Sequence, residues 1–193
     1  MKLAHRVELA QVRGRDDPRL GDIVRIADEM LGAGIYDALV LRLVAELASA
    51  TLLAAVAEDG VVGWGFGEEL SGDRSWYAQF GAQALACAAR PRVVSVRELA
   101  VLEAYQGRGV GRALTEAVLA WARGRGAEHA IAVSWLSPAP RTSAPLFERL
   151  GFVRLGVAAA PYEEDSRARG WRCRYCGGVC LCPAAFYALA LTA

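Results

Sequence analysis

The sequence predicts an α/β (α+β) fold, with strands and helices interleaved around one central sheet, and two stretches of the 193-residue chain carry that prediction. In the first, an apolar strand-like segment over 93–102 breaks into a glycine-rich turn and reopens as an amphipathic helix over 112–123, with Leu114, Val118 and Trp121 along one side. In the second, Glu58-Asp59-Gly60 separates two runs of β-formers, 51–57 and 61–67, which is a hairpin signal. The length suits a single domain, 1–193, with a sizeable core.

The remaining elements follow in chain order. Residues 6–12 alternate enough for a first strand, and Asp16-Asp17-Pro18 starts a helix that runs to about Leu31. Leucine, valine and alanine recur at helical spacing over 36–48. Between Ser71 and Arg92 the aromatic residues Trp76, Tyr77 and Phe80 imply an ordered segment, helical over 77–89. A strand over 127–135, a break at the prolines 138 and 140, a short helix ending at Gly151, and strands over 152–159 and 184–191 complete the chain.

Composition excludes several function classes. With 22 basic and 21 acidic residues the net charge is +1, which leaves no electrostatic footprint for nucleic acid or an anionic membrane. Hydrophobic residues reach 54%, yet no apolar run is long enough to span a bilayer, and the charged start Met-Lys-Leu-Ala-His-Arg does not read as a signal peptide. The expectation is a cytoplasmic protein. Dimers are the commonest assembly of soluble homo-oligomers, so a homodimer is the partner state general frequency favours.

The turn itself reads as an anion cradle. Gln106-Gly107-Arg108-Gly109-Val110-Gly111 has glycines at alternate positions, which let the backbone approach a ligand closely. The helix that follows adds unpaired N–H groups and a positive dipole end, suited to a phosphate or pyrophosphate. The spacing fits neither a P-loop nor a dinucleotide fingerprint. It resembles the acetyl-CoA signature of the GNAT N-acetyltransferase superfamily, Q/R-x-x-G-x-G/A, with Leu99-Ala100-Val101 as its upstream strand and Leu146-Phe147-Glu148-Arg149-Leu150-Gly151-Phe152 similar to the family's L-Y-E-x-x-G-F segment.

That resemblance implies a mixed, mostly antiparallel sheet splayed at the acetyl-CoA site, with helices on both faces, and direct acetyl transfer from acetyl-CoA to an amine acceptor. It assigns Leu99, Ala100 and Val101 to the thioester and Gln106, Gly107, Arg108, Gly109, Val110, Gly111 and Arg112 to the pyrophosphate, with Phe147 beside them. The tyrosine that often serves as general acid falls on Phe147, which has no hydroxyl, and the asparagine often found a turn earlier is missing near Pro140 and Arg141. Tyr162, Tyr175 or Tyr105 could substitute, the thiolate could leave unassisted, or the protein could bind acetyl-CoA without turning over. For the base, Glu98 is the leading carboxylate, ahead of Glu68, Glu69 and Ser95, with a water as competitor. In a regular strand Glu98 would face away from Ser95, Arg97, Leu99 and Val101, and a bulge would re-aim it.

Four of the five cysteines lie within ten residues, as Cys173, Cys176, Cys180 and Cys182, with glycines that let the backbone wrap. In a chain read as cytosolic this density favours a structural zinc ion over disulfides, with an iron–sulfur cluster or a redox couple as alternatives. The cysteines fall in a long connection, 161–183, between the last two expected strands, a segment that in the family commonly borders the acceptor cleft. Trp171, Tyr175 and the acidic run Glu163-Glu164-Asp165 would then lie near a cationic substrate. Two further readings stay open: an acyl-CoA sensor, and a module that binds a protein through its zinc loop. His5, His129 and Cys87 read as structural, the last as a small buried hydrophobe.

Overall fold

A computed structural model of the protein describes residues 7–136 and 142–191. The expected proline break at 138–140, Pro140 and Arg141 at the missing asparagine, and His5 lie outside those residues. The elements run β1 (Glu8–Val12), α1 (Leu20–Met30), α2 (Ala38–Glu46), β2 (Ala50–Ala57), β3 (Gly60–Glu69), α3 (Ala82–Ala88), β4 (Val93–Val101), α4 (Val110–Gly124), β5 (His129–Trp135), α5 (Ala144–Arg149), β6 (Val153–Ala158), α6 (Glu163–Arg169) and β7 (Ala184–Ala190).

The seven strands form one sheet in the order β1-β2-β3-β4-β5-β7-β6. Every pairing is antiparallel except β4 with β5, which pair in parallel only over Val93–Val96 against His129–Ala132. Beyond Val96 the two central strands part, and the sheet opens as a wedge. This is the mostly antiparallel, splayed α/β architecture that the sequence predicts.

Period-two alternation sorts the core onto two faces. On β3, Trp64 and Phe66 pack with Ile23, Ile26 and Leu41 of α1 and α2. The alternate positions Gly65 and Gly67 face α4, where a side chain at Gly65 would touch Leu114 and one at Gly67 would overlap Val118. Val94, Val96, Leu114, Val118 and Phe147 fill that second layer. The Asp37 side chain accepts a hydrogen bond from Val40 N–H and caps α2.

Three expectations needed correction. The helix read over 77–89 is two pieces, a 3-10 turn over Ser75–Phe80 and then α3, divided by Gly81 at φ 103°. Helix α4 starts two residues earlier than read, at Val110, because Gly109 at φ 88° takes the cap and Val110 is buried. Helix α6 has no counterpart in the sequence reading. Its acidic residues Glu163, Glu164 and Asp165 occupy the first turn, where they favour the helix dipole, and Glu163 pairs with Arg167 and Asp165 with Arg169 along the helix.

Candidate active site

The cleft sits where β4 and β5 diverge, and its chemistry begins with a bulge. Register shifts between Phe66 and Gly67 of β3, which pair with Glu98 and Val96, so Arg97 is the extra residue. Glu98 therefore shares the sheet face of Phe66, as Ser95 does through its partner Glu68. This reverses the alternation of a regular strand, and Ser95, Arg97, Glu98, Leu99 and Val101 all line the cleft.

Glu98 accepts a hydrogen bond of 2.8 Å from the Tyr36 hydroxyl. Burial, partly offset by that bond and by the Arg97 guanidinium, pushes the Glu98 carboxyl up to about 7. Arg97 pairs with Glu68 at 3.1 Å, so it does not neutralise Glu98 outright, and the Glu68 charge itself opposes ionisation of Glu98. A carboxyl poised near neutrality can accept a proton at physiological pH. Tyr36 was missed by the sequence reading. It stands 62 residues from Glu98, in the loop between α1 and α2, and only the tertiary fold joins them.

The open edge of β4 offers backbone donors. Leu102 N–H bonds to Val62 O at 2.9 Å, and because successive N–H groups of an antiparallel ladder alternate in direction, those of Val101 and Leu99 point to the unpaired side. Gln106 reaches back to donate to Val101 O at 2.9 Å, bracing the turn against the strand. Gly107 and Gly109 hold left-handed φ of 71° and 88°, a conformation that costs an L-residue about 1–2 kcal/mol. Arg112 is already paired with Glu116 at 2.8 Å, while the Arg108 guanidinium sits 5.5 Å over the Tyr105 ring. Phe147 is buried against Phe152 and Tyr187 and also lines the cleft.

Of the three tyrosines considered as acid, Tyr162 and Tyr175 line the cleft and Tyr105 does not. Burial, reinforced by the Glu98 charge, raises Tyr162 well above the ordinary phenol range, so its hydroxyl stays protonated. Glu69 pairs with Arg125 at 2.6 Å outside the cleft. Cys87 is buried, which raises its thiol, in keeping with a packing role.

The connection from β6 to β7 carries the cysteine cluster. All five cysteines are free thiols. The sulfurs of Cys173, Cys176 and Cys182 lie within 4.8 Å of one another, at 3.7 Å for 173–182 and 3.5 Å for 176–182. Tetrahedral zinc with bonds near 2.3 Å sets its sulfurs about 3.8 Å apart, whereas a disulfide needs about 2.05 Å, so the trio fits a metal. Cys180 is fully buried in the same apolar cluster but its sulfur falls outside that trio, so three of the four expected ligands are brought together and the fourth stands beside them.

This knuckle is docked on the loop that carries Tyr36. Arg172 N–H bonds to Ala33 O at 3.0 Å, Arg174 N–H to Leu31 O at 3.3 Å, and Arg169 Nη2 to Ile35 O at 2.8 Å. Gly32, at φ 146°, lies so close that a side chain there would overlap the Arg172 carbonyl. Gly32→Ala is therefore expected to cost about 2 kcal/mol or more, whereas Gly72→Ala, at φ 73° in open space, pays only the backbone cost of about 1 kcal/mol. Thermal melts of the two variants against the parent check the difference.

Among the described residues no helix is long and apolar enough to cross a membrane. The sequence profile of the acetyltransferase (GNAT) family matches residues 24–152. No curated protein sequence matches the chain. Similar solved structures include NAA60 of Arabidopsis thaliana in complex with a bisubstrate analogue (TM-score 0.67, 13% identity, 97% of this chain and 100% of that one). The NatC complex bound to Gag peptide and CoA is similar too (TM-score 0.67, 16% identity, 96% and 99%). So is the ribosomal-protein-S18-alanine N-acetyltransferase from Escherichia coli (TM-score 0.65, 15% identity, 97% and 96%). At these identities the likeness is one of fold.

Proposed function

This chain belongs to the acetyltransferase (GNAT) family, and from that premise we propose that it transfers an acetyl group from acetyl-CoA directly to a primary amine, as one cytoplasmic domain whose segment 161–183 is fixed by zinc. The observation that carries the reading is the Glu98 carboxyl, poised near 7 and bonded to Tyr36, beside the open edge of β4.

In this reading the amides of residues 106–111 take the pyrophosphate, with Arg108 or Arg112 adding charge-assisted bonds. Leu99, Ala100 and Phe147 flank the pantetheine arm. Val101 N–H, or that of Leu99, holds the thioester oxygen and stabilises the oxyanion, a contribution of about 3 kcal/mol per well-placed donor. Glu98 removes a proton from the acceptor ammonium, directly or through a water, and the freed lone pair attacks the carbonyl carbon. The C–S bond then breaks. Phe147 cannot protonate the leaving thiolate, and burial makes the Tyr162 hydroxyl a weaker acid than a thiol, so the thiolate takes its proton from solvent. Zinc, when bound by Cys173, Cys176 and Cys182 with Cys180 closing the site, supplies cross-links and takes no part in transfer.

Titration of the protein with acetyl-CoA by calorimetry tests the binding half: one site per chain is expected, and no binding would overturn the assignment of residues 106–111. The apolar setting of Phe147 supports one other reading, an acyl-CoA sensor, for which binding would occur with no turnover of any amine.

A further inference from the structure

The acceptor half of the cleft differs in character from the turn that would take the pyrophosphate. A chain of touching rings runs along it: Tyr77 against Trp76 at 5.2 Å between centroids, Trp76 against Tyr162 at 5.5 Å, Tyr162 against Trp135 at 6.0 Å, and Trp135 against Tyr175 at 6.0 Å. All five line a cavity of about 470 Å³ that also contains Glu98. The Trp76 indole N–H is satisfied by Pro161 O at 3.2 Å, leaving its ring to apolar contact.

Among the described residues, most of the cleft's other charged groups have partners. Glu68 is held by Arg97 at 3.1 Å. Asp73 accepts from Ser75 N–H at 2.9 Å and from its hydroxyl at 2.7 Å. Asp165 accepts from the Trp171 indole at 2.7 Å and pairs with Arg169. Arg74 donates to the carbonyls of Leu70 and Ala88 at 2.8 and 2.9 Å. A second ammonium at Glu68 or Asp165 would compete with the arginine each already pairs with, which leaves Asp73 as the carboxylate besides Glu98 with no ion pair among the described residues of the cleft. The amine that reacts meets Glu98.

We propose that the acceptor is a monoamine on a flat, apolar body, of the arylalkylamine kind, its ring lying against the Trp76–Tyr162–Trp135–Tyr175 wall while its nitrogen meets Glu98. The proposal rests on the acetyltransferase reading. Rings supply large contact area, and the positive nitrogen gains from neighbouring π faces before it loses its proton.

The test compares tryptamine and 2-phenylethylamine with spermidine, an aminoglycoside and a short peptide as acceptors, and measures tryptamine binding to the CoA-saturated protein by calorimetry. Tryptamine is expected to bind and to be acetylated with kcat/KM at least roughly tenfold above the polycationic and peptide acceptors. Trp76→Ala and Tyr175→Ala, at positions each 36% exposed, are expected to raise KM for tryptamine roughly tenfold or more, with acetyl-CoA binding intact as the control for folding. Preference for spermidine, aminoglycoside or peptide, failure of tryptamine to bind, or an unchanged KM in both variants would overturn the proposal. Loss of acetyl-CoA binding in the parent protein would instead overturn the reading beneath it.

Discussion

Glu98→Gln is expected to lower kcat/KM for acetyl transfer by roughly 10²–10⁴-fold, the range that loss of a positioned general base produces, while leaving acetyl-CoA affinity near that of the parent. The parent's kcat/KM should rise with pH through about 7 as Glu98 gives up its proton, and that limb should vanish in the variant. Stability supplies an independent readout. The folded-state carboxyl titrates above its unfolded value near 4.3, so the contribution of protonated Glu98 is complete below the unfolded value and is lost as pH rises through about 7. Relative to Glu98→Gln the parent should therefore lose up to about 3 kcal/mol between pH 4 and pH 8. Melts of both proteins across that range check it. An unchanged pH–rate profile in Glu98→Gln would assign the base to water.

The second large effect concerns the cysteine knuckle. Zinc removal by a chelator, or Cys173→Ser, is expected to lower stability by about 3 kcal/mol or more, a fall in Tm of about 6–12 °C for a chain of this size. The consequence for the site follows from the contacts that join residues 31–35 to Arg169, Arg172 and Arg174, since Tyr36 ends that loop and bonds to Glu98. Loosening the knuckle should move the acidic limb of the pH–rate profile upward, because the Tyr36 hydrogen bond favours the ionised carboxylate and its loss leaves burial opposed by the Arg97 charge alone. Metal content by elemental analysis, followed by melts and pH profiles before and after chelation, would show both changes. A stoichiometric metal other than zinc would reassign the ion, and a melt indifferent to chelation would remove the metal from the account.

Local signals were legible in the sequence and remote ones were not. The turn 106–111 and helix α4 could be read because a glycine pattern and a helical apolar stripe each lie within a few residues. The cysteine spacing was equally local, but it could not say that three sulfurs converge while that of Cys180 stands slightly apart. Glu98 was visible as a carboxylate on the right strand. Its direction depended on the bulge at Arg97, which is set by pairing with β3 and leaves no mark in the residues themselves. Tyr36 had no signal, since its role is created by a contact across 62 residues. Helix α6 was hidden because Glu163, Glu164 and Asp165 read as a substrate-facing charge run, and Asp165 does line the cleft, but the same residues fill a helix's first turn, with Glu163 and Asp165 paired to arginines four residues on. Gly81 was readable only in retrospect, as the left-handed joint between two short helical pieces.

Direct transfer from acetyl-CoA to an amine is measured as the release of CoA thiol over a panel of primary amines, with the N-acetyl product quantified in the same reaction. Thiol and N-acetyl product should appear one for one with one class of amine, at a rate that falls at least a hundredfold in Glu98→Gln. Saturable acetyl-CoA binding with no thiol released above the amine-free rate for any acceptor would contradict it and leave a protein that senses acyl-CoA.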